Sequence, residues 1–345
     1  MSFPLNVIFI HTIHNTRQDK QKGNFTMKKL LSLTMAVIMA LTCALCFTAC
    51  GNKEKTYTVG ICQLAPHEAL DAATQGFKNA LVAALGEGNV TFLEQNAAGD
   101  SNTCSTIVNN FVSKNVDLIL ANATAALQAA YNATNTIPIL GTSITEYGVA
   151  LNLKDFNGTV GGNVSGTSDL APLTEQGDMI LELFPDSKKV GLLYCSAEPN
   201  SDYQVRVMEE YLTGKGLTCT RYSFSDSNDI STVATTAAMQ SDVIYIPTDN
   251  TAASCTTTIG NIVRERKVPV VAGESGICHG CGVATLSISY YDLGYKTGEM
   301  AAKILKGEAN ISDMPIEYAP ATKMYNAEIC KELGITVPDG YTALK

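Results

Sequence analysis

Short apolar runs alternate with helical patterns over most of the chain. In the first part, strand-like runs cover residues 57–62, 89–94, 116–120 and 137–140, and helical patterns cover 68–85, 101–113 and 125–132. The runs are continuously apolar rather than alternating, which is typical of parallel strands that are buried on both faces of a sheet. The pattern therefore predicts an α/β lobe.

The same order of elements restarts after residue 169. Helices are predicted at 170–183, 201–213, 230–239 and 251–266, and strands at 189–194, 217–224, 243–246 and 268–272. A strand at 283–289 and a long helix at 291–306 follow, and the tail at 315–345 contains one short helix at 327–333. Because this tail is too short for a third domain, we expect it to pack on two α/β lobes.

Residues 161–169, Gly-Gly-Asn-Val-Ser-Gly-Thr-Ser-Asp, divide the two series. We interpret them as the first crossing between the lobes, and a surface loop inside one larger domain is the alternative. The glycines of this stretch, Gly161, Gly162 and Gly166, are expected to serve as a hinge. Its last three residues, 167–169, are predicted to begin the first helix of the second lobe and to face the cleft.

Length, charge and the catalytic motifs limit the classes of function. A chain of 345 residues with 46% hydrophobic composition is long enough for two cores. A net charge of -9 without a dense Lys/Arg cluster argues against nucleic-acid binding. After the N-terminal segment the histidines are His67 and His279, and we find no hydrolase, nucleotide-loop or zinc-protease motif. We expect a binding protein without cofactor or metal rather than an enzyme.

Residues 27–51 resemble a bacterial lipoprotein signal. Met-Lys-Lys is followed by an apolar run at 30–45 and by small residues before Cys50. We interpret 1–26 as an upstream extension with Met27 as the true start, 27–49 as the signal peptide, Cys50 as the lipidated residue and 50–56 as a linker. A signal anchor and a plain secretory signal are the alternatives. No other segment approaches the length of a membrane span.

The eleven cysteines do not predict a disulfide scaffold. Three of them, Cys43, Cys46 and Cys50, belong to the signal, and most others lie in apolar runs, where a buried thiol is expected. Cys278 and Cys281 form a C-x-x-C motif with no second pair nearby, so a zinc site lacks ligands. We expect either a local disulfide or two free thiols in a loop.

Polar side chains follow the predicted strands of both lobes. Ligands of open parallel sheets bind beyond the carboxyl ends of the strands, where helix N-termini also present free N–H groups. Each such residue can instead cap a helix, so the grouping carries the prediction. The candidate ligand-binding residues are Gln63, Asn96, Ala123, Thr124, Thr142, Ser143, Thr167, Ser168, Asp169, Glu198, Asn200, Ser201, Thr248, Asp249, Asn250, Glu274 and Ser275. Rings that could stack on an aromatic ligand are those of Tyr147, Tyr203, Tyr290 and Tyr291.

Several runs resemble one known family. They are His-Glu-Ala-Leu-Asp at 67–71, Gln-Asn-Ala at 95–97, the stretch 162–169, Glu-Pro-Asn-Ser at 198–201 and Pro-Thr-Asp-Asn at 247–250. Together they are similar to the substrate-binding lipoproteins of ABC importers with the type I periplasmic-binding fold, in the branch that includes the tryptophan-binding protein of Gram-positive bacteria. The resemblance implies two Rossmann-like lobes with parallel sheets, joined by a three-strand hinge near 165–169, 287–291 and 318–323.

The resemblance also implies an assignment of lobes and a function. Lobe 1 is expected at 57–166 plus 288–318, and lobe 2 at 167–287 plus 319–345. We expect a monomer, lipid-anchored to the outer face of the bacterial cytoplasmic membrane, that binds a small solute and delivers it to an ABC permease and its ATPase. An amino acid, aromatic like tryptophan, is the favoured solute. A secreted α/β enzyme and a ligand sensor for a membrane receptor are the alternatives.

Overall fold

The computed structural model describes Met35 and residues 55–344. The chain divides into two compact units, Met1–Lys55 and Thr56–Lys345. In the first unit Met35 is an exposed helical residue, and the signal, Cys50 and most of the linker lie outside the described residues. Among the helices that are described, none combines the length and the apolar character that crossing a membrane requires.

Two sheets organise the second unit. The first contains β1 (Tyr57–Gln63), β2 (Val90–Asn96), β3 (Leu118–Asn122), β4 (Ile139–Ile144), β5 (Val164–Ser168) and β11 (Glu317–Tyr318). Its spatial order is β11-β5-β4-β3-β1-β2, and all its pairs are parallel. We call this sheet and the helices packed on it lobe 1.

The second sheet organises lobe 2. It contains β6 (Lys189–Cys195), β7 (Thr218–Phe224), β8 (Val243–Ile246), β9 (Val270–Ala272), β10 (Ala284–Ser287), β12 (Thr322–Tyr325) and β13 (Thr342–Ala343). The order is β13-β12-β10-β9-β8-β6-β7, and the pair β10–β12 is antiparallel whereas the other pairs are parallel.

Helices cover both faces of both sheets. They are α1 (Glu68–Leu85), α2 (Ser101–Ser113), α3 (Thr124–Ala133), α4 (Tyr147–Ala150), α5 (Leu173–Leu183), α6 (Pro199–Gly214), α7 (Ile230–Gln240), α8 (Asn250–Ser254), α9 (Thr256–Glu265), α10 (Ser275–Cys281), α11 (Tyr290–Leu305) and α12 (Ala327–Leu333), and a 3-10 turn spans Ile311–Asp313. Along β3, Leu118 and Leu120 enter one core and Ile119 enters the other. The predicted α/β class with parallel sheets buried on both faces is therefore confirmed.

The chain passes between the two sheets three times. It leaves lobe 1 after β5, returns after β10 to form α11 against α1, and leaves again between β11 and β12. Both ends of each crossing are held by pairing within a sheet or by helix packing. This arrangement allows one lobe to rotate against the other without breaking either sheet.

Three local predictions are wrong. Residues 167–169 do not begin a helix, because Thr167 and Ser168 are paired in β5, and α5 begins only after Pro172. The helix predicted at 251–266 is divided into α8 and α9 at Cys255. The loop predicted around Cys278 and Cys281 is helix α10, where the Glu274 carboxylate caps the first turn. Both thiols are buried and free, so there is no local disulfide.

Helices α1 and α11 approach each other closely through glycines. A Cβ atom added at Gly294 would collide with the backbone carbonyl of Ala73, and one at Gly76 would collide with the carbonyl of Tyr291. Backbone atoms cannot move aside as a flexible side chain can, so this contact requires glycine. It fixes α11, which enters from lobe 2, onto lobe 1.

We expect Gly294→Ala to destabilise the protein by about 2–4 kcal/mol, because the new methyl group forces the two helices apart. Gly214→Ala is the matched control, since Gly214 also lies in a helix but has open space around it. That control should be neutral or stabilising by up to about 1 kcal/mol. Urea unfolding of both variants measures the difference, and equal stabilities would contradict the glycine contact.

Candidate functional site

A narrow cavity of about 10 Å³, with room for about one water molecule, lies between the two lobes. It is found where β4, β5 and the strands of lobe 2 end, as expected for open parallel sheets. His67, Ala69, Leu70, Ser143, Thr145, Asp169, Asn200, Thr248, Asp249, Asn250, Ala253, Glu274 and Tyr290 line it. No Lys or Arg side chain is among these residues, so its charged side chains are carboxylates.

Asp169 is the least satisfied of these carboxylates. It directly follows β5 on the first crossing, and only 3% of the residue is exposed. The Tyr290 hydroxyl, on the second crossing, donates to Oδ2 at 2.9 Å, whereas the buried Oδ1 has no hydrogen-bond partner. Burial raises the pKa of Asp169 to about 6, although the Tyr290 hydrogen bond acts in the opposite direction. An unpaired buried oxygen of this kind is costly unless a donor from a ligand reaches it.

Two further carboxylates of the cavity cap helices. Glu274 accepts the N–H groups of Gly276 at 2.6 Å and Ile277 at 2.5 Å, and Asp249 accepts those of Cys195 at 2.7 Å and Ala252 at 2.8 Å. Burial is the main cause that raises the pKa of Glu274 to about 7 and that of Asp249 to about 8. Both carboxyl groups thus serve as helix caps, and their burial favours the neutral form.

Lobe 1 contributes a hydroxyl and an apolar wall. The Ser143 residue has a φ of 56°, in the left-handed region, and its buried Oγ has no hydrogen-bond partner. A non-glycine residue in this region is uncommon and costs energy, which is typical of functional sites. Ala69 and Leu70 of α1, with Ala253 of α8 across the cavity, supply apolar surface beside these polar groups.

Seven of the predicted site residues line the cavity. They are Ser143, Asp169, Asn200, Thr248, Asp249, Asn250 and Glu274. Most of them come from lobe 2, where the triplet at 248–250 follows β8 and Pro247. The side chain of Asn200 donates to the Thr248 carbonyl at 3.1 Å, which joins the start of α6 to this triplet.

The other ten predicted residues do not line the cavity. They are Gln63, Asn96, Ala123, Thr124, Thr142, Thr167, Ser168, Glu198, Ser201 and Ser275. Gln63, for example, donates to Ala65 and Asp71 of lobe 1, and Asn96 is exposed. Glu198 holds the first turn of α8. The structure thus brings seven of the predicted residues together at one cavity, and their role in ligand binding stays a prediction.

Sequence reasoning about strand ends left out His67, Ala69, Leu70, Thr145, Ala253 and Tyr290, although all six line the cavity. The sequence identifies Tyr290 as a ring near the cleft, whereas in the structure its hydroxyl donates to Asp169. His67 belongs to the run at 67–71 that carries the family resemblance. The available signal was the position of these residues at helix starts facing the carboxyl end of a sheet. Among residues 55–344, no group of His, Cys, Asp and Glu is arranged to hold a metal ion.

The lobes touch each other across the cavity. His67 Nε2 and Asn250 Oδ1 are 3.2 Å apart, and His279 Nδ1 lies 3.3 Å from a carboxylate oxygen of Glu68. In both pairs one residue belongs to lobe 1 and the other to lobe 2. The cleft is therefore in a closed arrangement.

The model of the ABC transporter substrate-binding protein family matches residues 58–344. The chain belongs to this family. It is 33% identical over 316 residues to a tyrosine-binding protein of Clostridioides difficile (strain R20291), covering 86% of this chain and 89% of that protein. It also matches the structure of an ABC domain in complex with L-Trp from Streptococcus pneumonia, at 30% identity and a TM-score of 0.79, with 84% of this chain and 100% of that chain covered.

A second solved relative bears on the conformation. The ligand-free, open structure of a substrate-binding protein with adhesive properties from Clostridium difficile is 36% identical, with a TM-score of 0.64 and coverage of 84% of this chain and 99% of that chain. The match in shape is thus better to the L-Trp complex, although the sequence is closer to the open protein. The two lobes are arranged more like those of the ligand-bound relative, in agreement with the contacts across the cavity.

We expect the ligand-free protein to carry a pH-dependent penalty from Asp169. Its folded pKa of about 6 lies above the ordinary value of 3.8, so the folded state holds this proton longer than the unfolded state. The associated stability is therefore present below about pH 4 and is lost as pH rises through about 6. Asp169→Asn should be more stable than the unchanged protein at pH 8, by about 1–3 kcal/mol, and equally stable at pH 4. Urea unfolding at both pH values measures the free energies of unfolding. A variant that is less stable than the unchanged protein at pH 8 would contradict the prediction.

Proposed function

We propose that the protein is the extracytoplasmic substrate-binding lipoprotein of an ABC importer and that it binds an amino acid with an aromatic side chain. The unpaired carboxylate oxygen of Asp169 in the cavity between the lobes carries this proposal. A buried carboxylate with no basic neighbour in the cavity requires a cation for compensation, and the ammonium group of an amino acid supplies one.

The remaining polar groups suit the other end of an amino acid. The Ser143 hydroxyl has no partner within the protein and can donate to a ligand carboxylate, as neutral donors commonly do in binding sites. In our proposal the ammonium lies at Asp169 on the hinge side, and the carboxylate lies towards Ser143. The ligand side chain then extends along Ala69, Leu70 and Ala253, and the lobes would have to separate slightly to admit a planar ring beside these apolar side chains.

Two relatives support the choice of an aromatic side chain. One is called a tyrosine-binding protein, and the other was solved in complex with L-Trp. Both relatives are 30–33% identical to this protein over most of both chains, and we therefore extend their ligand class to it in this proposal. The apolar part of the cavity wall agrees with such a ligand because it offers surface that a ring can cover.

Binding would be linked to closure of the cleft. A ligand that contacts both lobes stabilises the closed state by its higher affinity for that state, and the closed form is then the form that a membrane permease and its ATPase receive. The N-terminal region supplies the proposed tether, with Cys50 carrying lipid and 50–56 linking it to the lobes. The protein would act as a monomer on the outer face of the cytoplasmic membrane.

Titration calorimetry of residues 51–345 against the twenty amino acids tests the ligand. We expect heat with tyrosine or tryptophan and none with lysine or glutamate, whose charged side chains would be desolvated at the apolar wall. Because the chain contains no tryptophan, bound L-Trp can also be followed by its own indole fluorescence. Absence of heat with every amino acid would refute the proposed ligand class.

The same titration with Asp169→Asn tests the ammonium contact. The variant keeps the shape of the side chain but loses its charge, so we expect affinity to fall by roughly 100-fold, about 3 kcal/mol. Asp155→Asn is the matched control, since Asp155 is exposed and in the left-handed region that asparagine tolerates. A similar affinity for both variants would place the ammonium elsewhere.

Anchoring is tested separately by Cys50→Ser in the full chain. We expect the unchanged protein to incorporate labelled fatty acid and to sediment with membranes, and the variant to do neither, since serine cannot form the thioether. Cys62→Ser controls for the loss of a cysteine as such, because Cys62 is buried in lobe 1. Membrane retention of the Cys50 variant without label would favour an uncleaved signal anchor.

A further inference from the structure

The contact between His67 and Asn250 joins the lobes at the edge of the cavity. His67 precedes α1 of lobe 1, and Asn250 is the first residue of α8 of lobe 2. The two residues are 183 positions apart in the chain, and their side-chain atoms are 3.2 Å apart. Rotation of the lobes away from each other would separate them, so this hydrogen bond exists only when the cleft is closed.

Glu198, also of lobe 2, fixes the orientation of the Asn250 side-chain amide. Glu198 Oε2 accepts the backbone N–H of Asn250 at 3.0 Å and its side-chain Nδ2 at 2.8 Å. The other carboxylate oxygen accepts the backbone N–H and the hydroxyl of Thr251, both at 2.8 Å. Because Nδ2 is held by Glu198, Oδ1 of Asn250 must point towards lobe 1, where it can only accept a hydrogen bond.

This orientation also assigns the proton of His67. The acceptor Oδ1 requires that Nε2 of His67 carry a hydrogen. Burial lowers the pKa of His67, against the opposing effects of Asn250, Glu198, Asp71 and Glu68. At neutral pH the imidazole is therefore neutral with its proton on Nε2, and it donates across the cleft. Glu198, Asn250 and His67 form one directed chain from lobe 2 to lobe 1.

We propose that His67 is a positioning residue for closure: its hydrogen bond to the Glu198-oriented Asn250 stabilises the closed cleft without ligand and thereby sets ligand affinity and release. In a two-state cleft, each interaction made only in the closed state raises the closed fraction and slows release of the ligand. The second contact between lobes, His279 with Glu68, has side chains that are 59% and 67% exposed, so it contributes little. The effect on affinity rests on the proposed function, whereas the effect on closure does not.

The test is a double-mutant cycle with His67→Ala and Asn250→Ala, measured by L-Trp or tyrosine titration. We expect each single variant to weaken binding roughly three- to tenfold and the double variant to be no weaker than either, since one hydrogen bond is lost in all three. Dissociation of bound L-Trp, chased with excess tyrosine, should accelerate by the same factor. Additive losses would overturn the proposal, because they would mean separate contacts with the ligand.

Conservative replacement distinguishes closure from a ligand contact. His67→Gln retains a side-chain N–H donor and should keep affinity within about twofold of the unchanged protein, whereas His67→Phe, with a ring but no donor, should behave like His67→Ala. If glutamine loses as much affinity as alanine, donation to Asn250 is not the role of His67. His279→Ala is the control for a contact between the lobes, and we expect it to leave binding unchanged.

Small-angle X-ray scattering of the ligand-free variants separates this proposal from the choice of ligand. We expect the radius of gyration of His67→Ala and Asn250→Ala to shift together towards the open form, with His67→Gln and His279→Ala unchanged. If no amino acid binds the unchanged protein, the proposed ligand class is wrong, and the scattering measurement alone then tests the role of His67 in closure. Equal radii for the unchanged protein and both alanine variants would then overturn the role of His67.

Discussion

The structure depends on one buried carboxylate, that of Asp169, whose Oδ1 has no hydrogen-bond partner. Asp169 directly follows β5, where the chain leaves lobe 1, and the Tyr290 hydroxyl of the second crossing donates to its Oδ2. These two residues lie on two of the three crossings, so in the proposed function the ligand would compensate a charge that lies on the hinge. Binding and movement of the lobes would then be coupled through the same few atoms.

The helix caps of lobe 2 serve this cavity in a second way. Asp249 and Glu274 each accept two backbone N–H groups, which is an ordinary capping role, yet both carboxylates are also turned into the space between the lobes. Burial raises the pKa of both carboxyl groups, which shows that it destabilises their charged forms. The arrangement is tolerable because backbone N–H groups donate to each carboxylate at the start of a helix.

The sequence predicts the α/β class and the order of helices and strands better than it predicts the residues of the cavity. Continuous apolar runs such as β3 and β8 can be buried only in a covered parallel sheet, so the fold class follows from local pattern. The triplet at 248–250 reaches the cavity because it follows β8 and Pro247. Gln63 is the last residue of β1, yet its amide is used within lobe 1. The partner of His67 lies 183 residues away, and only the geometry of the hinge brings the two together.

The glycine contact between α1 and α11 has a consequence for the order in which the molecule is made. Lobe 1 begins near residue 57 but lacks α11 until residue 305 and its edge strand β11 until residue 318. A chain that emerges from its N-terminus can complete most of lobe 2 while lobe 1 still exposes the apolar face of α1. Lobe 1, although it begins first, is thus completed only at residue 318, after most of lobe 2 and shortly before lobe 2 receives its last strands, β12 and β13.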